Sequence, residues 1–389
     1  MLIFLLFLVQ PLFLAGILYS LWNYRKRLTY VRETYRMNFN RKAFELSDYF
    51  LKGILLAIGL SGLSIALGVP LTIEWYLLYQ GISLLLLAIG GSRFIHPVFS
   101  FSLTSIVLFL MDQFGQSLPL SWLSQQVSTT NFLIDFKEAD FASLSLNTLF
   151  FTALMVLFTG LLIKNKDFNK LYPILRASKR GKTIAKYQNK FLWLLPLAVM
   201  VPGNLIEPFA PWWPFLSIGG NKFAILILPV LIGLKFTVST QLIEEAIENI
   251  KKDFQILGIV GILLFVGSYF YEQLAIISLV ILLLGAFFIY YRHRQREKLW
   301  TFKYGPAEEG LRVIAVRPGS PADRMKLTIG SIITHINEEE MSTKEDFHEV
   351  ITYNRSYIRI RLKRSDGEVI MVETPLYDDD VNNLGLLIL

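Results

Sequence analysis

No cysteine occurs anywhere in the 389 residues. That excludes disulfides, thiolate zinc sites and a cysteine nucleophile together. Charge is also scarce, at 18% of residues against 53% hydrophobic, and mean hydropathy is +0.47. The length would suit two soluble domains, but this composition excludes an ordinary pair of them. The first apolar run, Met1–Trp22, has no Lys or Arg before it and no small-residue cleavage site after it. A secretory leader needs both features. The charges follow the run instead, at Arg25, Lys26 and Arg27, so an uncleaved helix with its N-terminus outside is expected.

Histidine is limited to His96, His293, His335 and His348. No two of them stand one helical turn apart with a glutamate between, as a zinc-dependent membrane protease requires. His96 alone lies close to an apolar run, at a turn beside Arg93, where a structural role is favoured over a serine-protease pairing. Gly90-Gly91-Ser92 lacks the spacing and the lysine of a phosphate loop. No ionisable residue falls near the middle of an apolar run, which argues against a proton or sodium pathway. The expectation is a protein that is not an enzyme and has no cofactor.

What the chain does have is apolar runs of membrane-crossing length, which needs roughly 20 residues for a helix. They are Met1–Trp22, Leu51–Val69, Ile73–Gly90, Pro97–Phe114, Leu144–Ile163, Phe191–Ile206, Lys222–Phe236, Phe254–Phe270 and Leu274–Tyr291. The expected fold is an α-helical polytopic membrane domain of about nine spans, N-terminus outside and C-terminus inside. The sixth and seventh runs are short and proline-rich, with Trp212 and Trp213 between them. Parity requires that both cross or neither does, and seven spans is then the alternative.

The turns expected inside carry the basic residues. Arg25, Lys26, Arg27, Arg32, Arg36, Arg41 and Lys42 fall on one. Lys164, Lys166, Lys170, Arg176, Lys179, Arg180, Lys182, Lys186 and Lys190 fall on another. Arg93 lies on a third, Lys251 and Lys252 on a fourth, and Arg292, Arg294, Arg296 and Lys298 follow the last run. The outside turns hold mainly acids, with Lys137 and Lys222 as exceptions. The net charge of +7 is therefore read as retention of basic loops inside, with anionic lipid headgroups as partners and no nucleic acid. Tyr24, Tyr30, Tyr35 and Phe39, interleaved with arginines, also fit a segment lying on an anionic leaflet.

After Lys298 the pattern changes to short alternating runs. Arg312–Val316, Ser331–Ile336, Tyr357–Leu362 and Glu368–Glu373 read as strands, the last two joined by a turn at Ser365-Asp366-Gly367. Ala322–Leu327 and Lys344–Thr352 read as helices, the second with Ser342 and Glu345 as a capping box. The division is 1–291 membrane domain, 292–299 basic linker and 300–389 soluble domain.

The order of these elements resembles a bacterial PDZ domain. The resemblance rests on Arg312-Val313-Ile314-Ala315-Val316-Arg317-Pro318-Gly319-Ser320-Pro321-Ala322 and on the spacing from Leu327 and Gly330 to Ile336-Asn337. Ser331 and Lys326 depart from the family's usual Asp and Gly. The family's carboxylate-binding loop, an apolar residue, Gly, then apolar residues, is matched only at Leu384-Gly385-Leu386-Leu387. A small α+β PDZ domain with permuted strand order follows. Leu384, Gly385, Leu386, Leu387 and Ile388 are expected on one side of its groove, and Lys344, Phe347, His348 and Ile351 on the other. Two other readings stay open: a silent core strand, or a tail that is itself a ligand.

Apolar spans followed by such a domain, ending Leu384-Gly385-Leu386-Leu387, are similar to the MinJ family of division-site topology proteins. That resemblance implies a multi-pass cell-membrane scaffold at septum and poles, with a cytoplasmic PDZ domain, bridging DivIVA-like and MinD-like proteins. The alternative function is an accessory adaptor that delivers substrates to a membrane protease or exporter.

Overall fold

Most of the apolar runs become helices. They are α1 (Leu2–Val9), α2 (Pro11–Tyr35), α3 (Phe44–Leu51), α4 (Ile54–Leu67), α5 (Ile73–Gly90), α6 (Pro97–Gln113), α7 (Phe141–Leu162), α8 (Ile243–Phe270) and α9 (Leu274–Arg296). The computed structural model describes residues 2–35, 43–115, 141–163, 171–178, 181–216, 222–298, 302–353, 357–376 and 384–389. Among these, five helices are long and apolar enough to cross a membrane: Phe44–Leu67, Ile73–Arg93, Phe141–Leu162, Ile243–Phe270 and Leu274–Arg296. Pro97–Gln113 is a shorter apolar helix. The N-terminal run is split between α1 and α2 at Pro11, which supplies no N–H to the preceding turn and suits a first helical position.

Helix packing follows residue size. A Cβ at Gly258 of α8 would lie 2.4 Å from the Leu157 Cα on α7, so only glycine permits that approach. The opposite sides of α8 and α9 expose Leu263, Phe270, Leu284 and Phe288. His96 is fully buried and structural: its Nδ1 accepts from the Val98 N–H at 3.2 Å to cap α6, and Nε2 meets the Thr159 hydroxyl at 3.0 Å.

The sixth and seventh runs correct the sequence reading, because they are strands. After β1 (Tyr172–Ala177), β2 (Thr183–Ile206) and β3 (Phe223–Val238) form one long antiparallel hairpin, with strand order β1-β2-β3. Nearly every residue from Phe191 to Val201 is buried, on both faces of the strand. β2 runs beside α4: a Cβ at Gly53 would meet the Leu194 carbonyl at 2.3 Å, and the Ser61 hydroxyl accepts the Ala198 N–H at 2.8 Å. Further along, Leu71 N–H donates to the Met200 carbonyl at 2.8 Å.

A two-stranded hairpin has two open edges, and an apolar surrounding punishes every unpaired group on them. Here the edges are partly closed. Pro196 and Pro229 stand directly opposite each other, so the two positions that would point an N–H outwards have none. Gln10 Nε2 donates to the Ile227 carbonyl at 2.9 Å, and the Tyr79 hydroxyl to the Pro229 carbonyl at 3.2 Å. With Ser61 and Leu71, these satisfy four of the outward-pointing groups over this stretch.

The remaining elements form a second sheet-rich unit: β4 (Leu311–Val316), α10 (Pro321–Arg324), β5 (Ile332–Ile336), β6 (Glu339–Glu340), α11 (Lys344–Tyr353), β7 (Tyr357–Lys363), β8 (Val369–Pro375) and β9 (Leu386–Ile388). The strand order is β8-β7-β5-β4-β9, with β6 on β5. The α11 cap sits one residue later than expected: Thr343 Oγ accepts the Asp346 N–H at 3.2 Å, and Asp346 Oδ2 accepts the N–H groups of Thr343 and Ser342 at 2.8 and 3.1 Å. Arg36, Phe39, Arg41, Lys42, Asp135, Lys137, Glu138, Asp140, Lys164, Lys166, Lys170, Lys179, Arg180 and Trp300 lie outside the described residues.

Candidate partner-binding edge

The tail folds back as expected of a strand. β9 runs antiparallel to β4, pairing Ile388 with Val313, Leu387 with Ala315 and Leu386 with Val316. The Leu389 N–H and carbonyl exchange bonds with Arg312 at 2.9 and 2.8 Å. At its start, Gly385 has φ +73° and its carbonyl accepts the Arg317 N–H at 2.7 Å. The Leu384 carbonyl accepts the Ala322 N–H at 3.2 Å. β9 ends the strand order, and among the described residues no strand pairs with its far edge.

The side chains divide by strand and helix periodicity. Leu384, Leu386 and Ile388 point into the core of this unit, which also holds Phe347 and Ile351 of α11. All five are buried. Lys344 and His348, four residues apart, are exposed along α11. Leu387 is not brought to that core. It faces the other way and packs with Leu389 and Ile314 against the core of the helical domain. Strand alternation alone separates it from its neighbours.

That opposite face is an interface the sequence reading missed. Tyr304 is 1% exposed, and its hydroxyl accepts the Ile243 N–H at 2.9 Å. Its carbonyl accepts the Ala185 N–H at 2.9 Å. Its ring meets Tyr187 edge-on, centroids 4.7 Å apart, and the Tyr187 hydroxyl donates to the Ile314 carbonyl. Arg312 Nε donates to the Gly305 carbonyl at 2.7 Å. Burial raises the Tyr304 phenol above its ordinary value, so it stays a neutral hydroxyl. Tyr304 lies in the stretch 300–389 read as soluble domain, and nothing in that reading marked it as a contact.

The basic residues at the end of α9 and just beyond it separate into two pairs. Arg292 and Arg296 both reach the buried Asp253 of α8, at 2.9 and 3.0 Å. Arg294 and Lys298 are exposed. Glu297 accepts from the Ser239 N–H at 2.7 Å, the Thr240 N–H at 3.1 Å and Gln241 Nε2 at 2.9 Å, which ties the end of β3 to the root of the sheet-rich unit. Tyr30 and Tyr35 are tied to β1: Tyr30 accepts the Leu175 N–H at 3.0 Å and Tyr35 donates to the Pro173 carbonyl at 2.8 Å. Among the aromatic residues of this segment, these two are therefore anchored to β1.

No known protein-family model matches the chain. Among curated proteins it is 30% identical over 237 residues to the cell division topological determinant MinJ of Bacillus subtilis (strain 168), covering 61% of this chain and 60% of that protein. It is 23% identical over 226 residues to the probable cell division topological determinants MinJ of Lacticaseibacillus paracasei and Lacticaseibacillus casei (strain BD-II), covering 56% of this chain and 58% of each. The matched region thus spans less than two thirds of these relatives.

Proposed function

We propose that the chain is a MinJ-like topological determinant of cell division, a multi-pass membrane scaffold that recruits division proteins through a PDZ-type edge. The reading assigns it no catalytic step. The observation that carries it is the position of β9: a terminal sheet strand with Gly385 at positive φ before it and a core shared with Phe347 and Ile351 of α11. A ligand strand adding to that edge would gain main-chain hydrogen bonds, with Lys344 and His348 at the rim. The similarity to cell division topological determinants supports the cellular role, and DivIVA-like and MinD-like proteins are the partners it implies.

In this reading seven helical segments cross the bilayer and the hairpin traverses it beside α4. The two strands, like two helices, leave the parity unchanged, so the N-terminus is outside and the sheet-rich unit inside. Anchoring confines the edge to the inner leaflet and raises its effective concentration for membrane-bound partners.

A fluorescent fusion in dividing cells tests the role. Concentration at septa and poles is expected, and uniform membrane fluorescence overturns it. Lys344→Glu with His348→Glu tests the edge, because both side chains are exposed and the core is untouched. Recruitment of division proteins in a detergent pull-down should fall with insertion retained. Undiminished recruitment removes the edge as the contact surface.

A further inference from the structure

Lys190 on β2 and Lys235 on β3 are direct partners in the antiparallel register. Like charges placed opposite each other destabilise a strand pair. Lys26 on α2 adds a third ammonium near enough to repel that of Lys190. Among the described residues none of the three has a carboxylate partner; the ion pairs there join other groups. Both Lys190 and Lys235 are half-buried, so water screens the repulsion less than on an open surface.

The surroundings complete a pocket-like corner. The turn Gly91–Arg93 packs on the same face of β3, where a Cβ at Gly233 would meet the Ser92 carbonyl at 2.6 Å. The Tyr19 hydroxyl accepts the Ser92 N–H at 2.9 Å and so joins that turn to α2. Arg93, at the same turn, is exposed. Lys26 stands 5.1 Å over the Trp22 ring, and on the other face of the hairpin Lys52 stands 4.3 Å over Trp193. Leu18 and Trp22, beside Lys26 on α2, are 67% and 55% exposed. Cations on aromatic rings next to exposed apolar side chains mark the boundary between acyl chains and headgroups.

We propose that Lys26, Lys190 and Lys235 hold the phosphate of an anionic lipid headgroup at the cytoplasmic boundary of the hairpin. A phosphate between opposed ammonium groups replaces repulsion with charge-assisted hydrogen bonds. Free phosphate offers the same chemistry, but the exposed apolar side chains beside the site match acyl chains. The proposal rests on the orientation given under the proposed function.

The test uses the full chain, delipidated in detergent, with phosphatidylglycerol, phosphatidylcholine or inorganic phosphate added. Native mass spectrometry and thermal unfolding are read. Phosphatidylglycerol should stay bound and raise the unfolding midpoint, and the other two should do neither. Lys190→Gln with Lys235→Gln removes the opposed charges, so lipid-free stability should be unchanged or higher while phosphatidylglycerol retention falls about tenfold. Lys190→Arg with Lys235→Arg should restore retention. Full retention by the glutamine pair overturns the site, and equal stabilisation by inorganic phosphate overturns the lipid as its occupant. The chain has no cysteine, so Lys190→Cys reports orientation through an impermeant maleimide. Labelling in intact cells sinks the orientation and the site with it; labelling only in inverted vesicles, with retention unaffected by the glutamine pair, sinks the site alone.

Discussion

At single positions, backbone geometry and hydrogen bonding decide what each residue contributes. Gly385 has φ +73°, and a Cβ there would lie 2.4 Å from Ser320 Cβ. A β-branched residue meets both the left-handed penalty and the clash, so Gly385→Val should cost about 2 kcal/mol or more. Hydrogen exchange at Leu386–Ile388 should accelerate first, and unchanged protection would show that the tail tolerates the strain. Asp346 behaves differently. Hydrogen bonds from Thr343, side chain then backbone, and from the Ser342 N–H hold its carboxyl below the usual carboxylate range. A group depressed on folding contributes stability above its unfolded pKa, and that contribution disappears as pH falls through the folded value. Acidification through and below the ordinary aspartate range should therefore weaken the start of α11. Asp346→Asn should flatten this dependence, as followed by circular dichroism against pH.

At the level of elements, the hairpin is where hydropathy and structure part. A strand buried on both faces reads as one continuous apolar run, and so does a membrane helix, so the two differ only in breakers and length. The signals were Pro196 and Pro202, which a helix interior resists and an outward edge position accepts. Apart from the N-terminal run, which divides into two helices at Pro11, the other runs have no interior proline and become helices, and the alternation of Tyr357–Leu362 identified β7. The docking of the sheet-rich unit left no trace, because its contacts, from Tyr187 to the Ile314 carbonyl and from Tyr304 to Ile243, join residues far apart in the chain. Edge closure makes a definite claim about Ser61. It accepts the Ala198 N–H at 2.8 Å, and in the membrane arrangement proposed above no water would replace it. Ser61→Ala should cost about 1–3 kcal/mol, seen as a lower unfolding midpoint in detergent. Ser61→Thr keeps the acceptor and should recover most of the loss. Equal stability of the alanine variant would mean the edge is satisfied by another route.

For the molecule as a whole, the β2–β3 hairpin is the shared support. Its middle lies along α4, and its start carries Ala185 and Tyr187, on which Tyr304 and Ile314 rest. The sheet-rich unit is thus fixed to the helical domain by the face of β4 and β9 opposite its own core, while the far edge of β9 faces away from β4. Fixing one face of a two-faced strand pair should leave the edge in one orientation relative to the leaflet, which a flexible tether would not do. Tyr304 carries much of this contact, being buried and bonded to both β2 and the start of α8. Removing a buried aromatic ring costs about 3–5 kcal/mol, which at about 1.4 kcal/mol per decade shifts a docking equilibrium at least a hundredfold. Tyr304→Ala should therefore release the unit as a folded body on a tether. Limited trypsin digestion should cut at Lys298 or Lys303 far faster than in the native chain, and the fragment should keep its own protected β-sheet amides. If the junction instead stays resistant, Tyr304 is not what holds the two parts together.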